Sequence, residues 1–289
     1  MTPDLEPLLE PEWRDRWDRR SRALVNWAMR LRQDRKPLKR LLDGVNGLLI
    51  EAERCGAFPA IRGFERSYHA DYPALAEVEA NHRMIREEAE ALLALRHRMP
   101  DVSELAGKYN NTKRGVAWKS VMLKSGRFIE DNCRLAPRTA DLLRRVPGLY
   151  TAFFSVLEPG QYIKPHWGYW KGFLRYHLGV IIPGEAEGKC WLRVNPSYRV
   201  VPGSDVRAIE DGVRYFWKEG EGVLFDDVFL HDAMNASDAV RVVLYLDVAR
   251  AMNPALDRIN RSLCDIMFEV PPLRHVRENA LLASPHAPR

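Results

Sequence analysis

Apolar residues in the second half of the chain occur in short runs that are typical of β-strands. From about Trp118 onward these runs are separated by turns rich in Gly, Pro, Asn and Asp. The runs are WKSVML, AFFSVL, LRYHLGVII, CWLRV, GVLFDD and VRVVLYLDV. Short strands at this spacing, with almost no helix between them, predict an antiparallel sandwich or jelly roll.

The first part of the chain has the spacing of amphipathic helices instead. Residues 13–55 hold two runs rich in Arg, Leu and Trp, with Pro37 between them. They could form a membrane-surface helix or a partner-binding helix, but helices that cover the rest of the chain or pair with another chain are favoured. Steps of three and four predict a further helix from Tyr72 to Arg98, with His82 packed on its apolar face.

Shorter helices are predicted at residues 138–145 and after Pro254. The fold class is therefore mainly β with helical extensions. We expect a helical N-terminal region at 1–115 that packs on the core, a β-barrel domain at 116–250, and a helical tail at 251–289.

The composition restricts the possible ligands and the cellular compartment, but it does not indicate a function. The 289 residues are 46% hydrophobic, and the net charge of +5 suits an acidic ligand and an ordinary solvated surface equally well. We expect no nucleic-acid partner. The four cysteines lie far apart with no CxxC pair, which favours a reducing compartment. The N-terminus lacks the apolar core of a signal peptide and no window is long enough for a transmembrane segment, so we expect a cytoplasmic protein. Its oligomeric state is not predicted.

The candidate chemistry lies in the order His166, His177, His231, Arg241. A jelly roll folds distant residues onto one opening, so His166 and His231 could share a metal ion there. Imidazole suits Fe, Zn, Cu or Ni. Arg241 follows His231 by ten residues, where a hairpin would return it to the mouth of the barrel. Its guanidinium could hold the distal carboxylate of a dicarboxylic acid.

Residues 118–248 resemble the aspartyl/asparaginyl β-hydroxylase family through FFSVLEPGQYIKPHWG, LRYHLGVIIP, WKEGEGVLFDDVFLHD and AVRVVLYLDV. The resemblance implies a double-stranded β-helix, which is a cupin-like jelly roll, and the cofactors Fe(II), 2-oxoglutarate and O2, with ascorbate as a reductant in vitro. It also implies hydroxylation of an unactivated carbon. The substrate it suggests is the β-carbon of an aspartyl, asparaginyl or other amino acid residue, whether free, in a peptide or on a carrier.

By this resemblance, His166 and His231 ligate iron and Arg241 pairs with 2-oxoglutarate. Ser155 and His177 match positions that add hydrogen bonds to the same cosubstrate. Taken alone, His177 could be a packed core residue, Ser155 a strand residue, and Arg241 half of a surface ion pair with Asp232 or Asp238.

Two further positions are carried over from the family. Arg175 matches a position that faces the substrate, where a cation would hold an acidic group. Asp227 matches a buried carboxylate that would orient a ligand histidine through its second nitrogen. Asp226 and Asp227 could instead only cap a turn.

The chain also departs from the family. Gly168 stands where most oxygenases of this chemistry have a carboxylate ligand, and the resemblance implies that water takes that coordination position. Phe153 and Phe173 stand where the animal enzymes have basic residues, which weakens the case for aspartate. Residues 195–216 form an insert, predicted to be an extra hairpin.

Two other functions remain open. One is an acyl-chain hydroxylase of the lipid A type, although this chain lacks the membrane anchor and the acidic residue of that branch. The other is a non-catalytic barrel that binds a ligand.

Overall fold

The computed structural model describes residues 37–105, 116–199, 206–269 and 271–282. The chain divides into two compact units, residues 1–48 and residues 49–289. The described residues of the first unit form the beginning of helix α1, Pro37–Arg54. The helix expected before Pro37 and the last residues of the chain lie outside the described part.

Within these residues the strands form two antiparallel sheets. The strands are β1 Phe64–Glu65, β2 Trp118–Ser125, β3 Arg127–Phe128, β4 Leu149–Leu157, β5 Tyr162–His166, β6 Phe173–Ile181, β7 Cys190–Arg199, β8 Val213–Phe216, β9 Gly222–Phe225, β10 Phe229–Asn235 and β11 Arg241–Ala249. One sheet has the order β1-β9-β6-β11-β4-β2-β3 and the other β5-β10-β7-β8. Because the chain passes repeatedly from one sheet to the other, the predicted double-stranded β-helix is confirmed.

The larger sheet begins outside the region in which strands were expected. Strand β1 lies within residues 1–115, which were expected to be helical, and it pairs Phe64 with Phe225 of β9. A two-residue strand carries too short an alternation to be detected in the sequence.

The larger sheet is buried on both faces, which explains its continuous apolar runs. In β11, Leu244 and Leu246 belong to a core shared with Leu75 and Ile85 of the helices. The intervening Val243 lies in a second core, shared with the smaller sheet. Successive strand residues point to opposite faces, so a strand covered on both sides needs apolar residues at nearly every position.

The single helix predicted from Tyr72 to Arg98 is wrong, because two helices occupy this stretch. The helices after α1 are α2 Pro73–Ala80, α3 His82–Leu93, α4 Val102–Leu105, α5 Glu130–Cys133, α6 Pro137–Arg144, α7 Pro254–Glu269 and α8 Pro271–Asn279. Between α2 and α3, the Asn81 side chain donates a hydrogen bond to the Glu77 carbonyl oxygen at 2.8 Å and so competes with helix continuation. His82 is half-buried, and its Nε2 atom lies 3.3 Å from the Val180 carbonyl oxygen. No described helix is long and apolar enough to cross a membrane.

The link between His231 and Arg241 is a crossing between sheets, so the hairpin predicted there is wrong. Strand β10 lies in the smaller sheet and β11 in the larger one. The two edges of β11 are already paired with β4 and β6, which leaves no edge for β10. Asn235 holds the crossing, since its side-chain amide donates to the carbonyl oxygens of Leu157 at 2.9 Å and Ala239 at 2.8 Å.

The insert contributes an additional antiparallel pair to the smaller sheet. Strand β8 pairs with β7, with Val213 opposite Val194 and Phe216 opposite Trp191. Strand β8 lies in the insert, but its partner residues 191–194 precede it, so an extra hairpin within residues 195–216 stays a prediction. Residues 200–205 of the insert lie outside the described part of the chain.

Candidate active site

Neighbouring strands of the smaller sheet bring the two expected metal ligands together. His166 ends β5 and lies directly opposite His231 of β10, and their ring centroids are 4.2 Å apart. Each Nδ1 lies 2.8 Å from the carbonyl oxygen two residues earlier, Lys164 for His166 and Phe229 for His231. If the Nδ1 protons are donated to these carbonyls, each Nε2 carries the lone pair that can bind a metal ion.

Burial keeps both rings in the form that a metal requires. It lowers the pKa of His166 to about 4 and the pKa of His231 well below its usual value. Neutral imidazoles suit a divalent transition metal. Among the described residues, no group of three or more His, Cys, Asp or Glu side chains could hold a metal ion.

The absence of a side chain at Gly168 has a structural reason. A Cβ atom on Gly168 would overlap the carboxylate of Asp227. The Gly168 amide also donates to the Asp227 carbonyl oxygen at 2.6 Å. The Asp227 carboxylate therefore fills the space that a carboxylate side chain at position 168 would need.

Asp227 does not have the role expected for it. Its Oδ2 atom pairs with Arg175 at 2.7 Å, and Arg175 also donates from Nε to Asp247 at 3.0 Å. Backbone carbonyls already accept from the Nδ1 atoms of both histidines, so the prediction that Asp227 orients a ligand histidine through its second nitrogen is wrong. Burial raises the pKa of Asp227 to about 7, against the opposing effect of Arg175.

The neighbouring Asp226 fixes the turn that carries Asp227. Its carboxylate pairs with Lys171 and with Arg250, whose Nη2 lies 2.5 Å away, and all three side chains are buried. Its other oxygen accepts a hydrogen bond from the Val228 amide at 3.3 Å. Asp226 therefore does cap the turn, as one interpretation of the sequence allowed, while Asp227 belongs to a different ion pair.

A cavity of about 290 Å³ extends from the two histidines, and its walls include the three residues expected to bind the cosubstrate, Ser155, His177 and Arg241. Arg241 is 1% exposed, and its Nε atom has no hydrogen-bond partner among the described residues. Its guanidinium carbon lies 4.4 Å from the centre of the Trp217 ring. Burial lowers the pKa of Arg241 to about 10.

The surface ion pair considered for Arg241 is not formed, because Asp232 pairs with Arg193 at 2.7 Å. A buried guanidinium is costly unless an anion compensates it. This end of the cavity is therefore suited to an anionic ligand, and a carboxylate fits the fork of donors on Arg241.

Ser155 and His177 offer hydrogen bonds beside Arg241. The Ser155 hydroxyl oxygen accepts from the indole Nε1 of Trp118 at 2.9 Å, which leaves its own proton for another acceptor. His177 is buried, and within the described chain neither ring nitrogen has a partner. Its contacts with Trp217 and Tyr245 are consistent with a packed residue, but a satisfied core histidine would have its nitrogens paired.

Sequence reasoning missed Ser120 and Trp217, which also line the cavity with polar atoms that lack partners in the described structure. Ser120 lies opposite Ser155 on the neighbouring strand. The alternation Trp118, Ser120, Met122 could have placed Ser120 on the inner face. No comparable signal marks Trp217, because it follows β8 in a segment without regular structure.

The remaining walls of the cavity are largely apolar. They come from both sheets and from helices α4 and α8, through Val102, Leu105, Met122, Phe153, Ile163 and Val276. Trp167 also lines the cavity and is 44% exposed, so it lies at the surface end. Phe173 is packed against Tyr150 and Phe268 instead.

Comparisons with known proteins agree with this arrangement. A model of the aspartyl/asparaginyl beta-hydroxylase family matches residues 79–251. An ornithine lipid ester-linked acyl 2-hydroxylase from Rhizobium tropici is 30% identical over 211 residues, which are 73% of this chain and 69% of that protein. The human aspartyl/asparaginyl beta-hydroxylase is 27% identical over 179 residues, 59% of this chain but only 20% of the human protein.

A crystal structure of AviO1 from Streptomyces viridochromogenes covers 72% of this chain and 97% of its own, at 14% identity and a TM-score of 0.44. That score is too low to carry an argument, so the assignment of the fold depends on strand order and on the family match.

Proposed function

We propose that this chain, which belongs to the aspartyl/asparaginyl beta-hydroxylase family, is a hydroxylase that depends on Fe(II) and 2-oxoglutarate. One observation carries the proposal. A buried arginine without a carboxylate partner in the described residues, Arg241, lines the same cavity as two neutral, paired histidines. A metal and a dicarboxylic acid are the ligands that satisfy both features at once.

In this proposal His166 and His231 hold the iron through their Nε2 atoms, and backbone carbonyls keep both rings oriented. Bound Fe(II), with 2-oxoglutarate and O2, supplies the oxidising power to hydroxylate an unactivated carbon. Arg241 binds the distal carboxylate of 2-oxoglutarate. The Ser155 hydroxyl, which accepts a hydrogen bond from the Trp118 indole, donates one to the same carboxylate.

His177 and the apolar walls complete the proposed roles. Burial lowers the pKa of His177 well below its usual value, so the ring is neutral and offers one donor and one acceptor to the cosubstrate. Apolar side chains around the histidines exclude water from the reacting carbon.

The charges in the cavity favour an acyl chain over an acidic amino acid as the group that is hydroxylated. Arg175, expected to hold an acidic substrate group, is already paired with two carboxylates, Asp227 and Asp247. Phe153 lines the cavity where the animal enzymes have a basic residue. The Rhizobium relative is named for an acyl substrate. We therefore favour hydroxylation of an acyl chain and keep aspartyl or asparaginyl residues as the second candidate.

The test is conversion of 2-oxoglutarate to succinate by the purified protein with Fe(II), ascorbate and air. We expect an acyl amphiphile to accelerate the conversion and to gain one oxygen atom by mass spectrometry. Its deacylated headgroup is the matched control and should have no effect. Acceleration by an aspartyl peptide alone would reject the acyl substrate, and failure of the protein to bind Fe(II) or 2-oxoglutarate would reject the hydroxylase itself.

A further inference from the structure

Trp217 lies between β8 and β9 and forms part of the same wall as Arg241. It is 1% exposed, and its backbone amide donates to the Cys190 carbonyl oxygen at 3.2 Å. One neighbour of its ring is Arg241, whose guanidinium carbon is 4.4 Å from the ring centre. Another is His177, with 5.9 Å between ring centroids and 29° between planes.

The indole nitrogen of Trp217 is buried and has no hydrogen-bond acceptor among the residues that the structure describes. An indole N–H can only donate, and most buried donors in folded proteins have an acceptor. Packing alone would not require this nitrogen, because a phenyl ring would also cover Arg241. A tryptophan here has a physical reason if a ligand brings the acceptor.

A carboxylate has the capacity to use this donor. Its two oxygens offer about four acceptor positions. Arg241 and the Ser155 hydroxyl can fill some of them, and both line the cavity with Trp217. A neutral donor next to a single cation strengthens anion binding without adding another buried charge.

We propose that Trp217 is a cosubstrate-binding residue whose indole N–H donates a hydrogen bond to the carboxylate held by Arg241, while its ring face positions the guanidinium. The proposal rests on the proposed function, since it assumes that the anion is 2-oxoglutarate.

The first experiment measures 2-oxoglutarate binding by calorimetry, with Fe(II)-loaded protein under nitrogen. Trp217→Phe keeps an aromatic face and removes the N–H. A hydrogen bond to a charged acceptor corresponds to roughly a tenfold or greater change in affinity, so we expect binding to weaken about tenfold. Trp191→Phe is the matched control, because Trp191 packs against Arg214 and Tyr162 outside the cavity wall. It should leave the affinity unchanged.

A second ligand separates the hydrogen bond from general loosening of the pocket. 2-Oxopentanoate has the keto acid end of 2-oxoglutarate but lacks the distal carboxylate. We expect Trp217→Phe and the unaltered protein to bind it equally. An equal loss for both ligands, or no loss for 2-oxoglutarate, overturns the role of Trp217. If the unaltered protein itself does not bind 2-oxoglutarate, the proposed function fails instead.

If the Trp217→Phe variant does not fold, the proposal can still be tested on the unaltered protein. In zinc-loaded protein with nitrogen-labelled tryptophan, 2-oxoglutarate should shift one indole N–H resonance strongly downfield, and 2-oxopentanoate should not. The absence of such a shift overturns the proposal.

Discussion

Replacing Arg241 with methionine should stabilise the ligand-free protein and abolish tight binding of 2-oxoglutarate. Burial lowers the pKa of Arg241 from 12.5 to about 10, and each pKa unit corresponds to about 1.4 kcal/mol. The charged side chain therefore disfavours the folded state by about 3 kcal/mol. Below pH 10 the arginine is charged in both the folded and the unfolded state, so this cost is present throughout the neutral range.

Part of that gain is lost with the contact to Trp217, since a desolvated cation over an aromatic ring contributes about 2 kcal/mol. Methionine fills similar space without a charge. We therefore expect the free energy of unfolding, measured by urea denaturation without ligand, to rise by about 1 kcal/mol. The affinity for 2-oxoglutarate, measured by calorimetry, should fall by about 2 kcal/mol or more, the usual cost of removing one partner of a buried charge pair.

Arg193→Met is the control, and it should change the free energy of unfolding in the opposite direction. Arg193 is also buried, but it binds Asp232 through two nitrogens, at 3.0 and 2.7 Å. Its removal leaves a buried carboxylate unpaired, which should lower the free energy of unfolding by about 3 kcal/mol and leave 2-oxoglutarate binding intact. If Arg241→Met destabilises the protein as Arg193→Met does, the reasoning that the Arg241 charge lacks a counterion is refuted.

Three other predictions follow from the same site. His166→Ala and His231→Ala should each remove most bound iron, measured by metal analysis, because a site with two protein ligands has none to spare; His82→Ala should retain it. Gly168→Ala should lower the melting temperature through overlap with the Asp227 carboxylate, and a melting temperature like that of the unaltered protein would place the carboxylate elsewhere. Because burial raises the pKa of Asp227 from 3.8 to about 7, its contribution to stability is present below pH 3.8 and lost as the pH rises through 7. Asp227→Asn should flatten that dependence in urea titrations at a series of pH values.

The proximity of the two proposed metal ligands could be predicted from sequence because the signals around them are local. His166 and His231 each lie in a short strand, and a jelly roll brings such strands to one opening. The expectation that they share a site needed only the fold class. The structure adds the direct register between β5 and β10, which no local pattern contains.

The surroundings of the ligands could not be predicted, because they depend on pairing between distant strands. Arg175 meets Asp247 only because β6 and β11 are neighbours in this register. The crossing between β10 and β11 resembled a hairpin loop in the sequence, since its polar turn residues suit both connections. Helices α4 and α8 contribute Leu105 and Val276 to the cavity, although one helix precedes most of the strands in sequence and the other follows them all. Their sequences do not indicate which strands they pack against.

The charges within the cavity determine which kind of substrate it favours. Two arginines line the cavity. Arg175 forms ion pairs with Asp227 and Asp247, whereas Arg241 forms none with a carboxylate in the described chain. In the proposed function, the distal carboxylate of the cosubstrate compensates Arg241. A second carboxylate, carried by an acidic substrate, would enter a low-dielectric space beside Asp227 and Asp247 and be repelled by them. It would have to displace one of these from Arg175, which leaves another buried anion unpaired. An acyl chain meets no such cost, because Met122, Ile163 and Val276 offer it apolar contact in the same cavity.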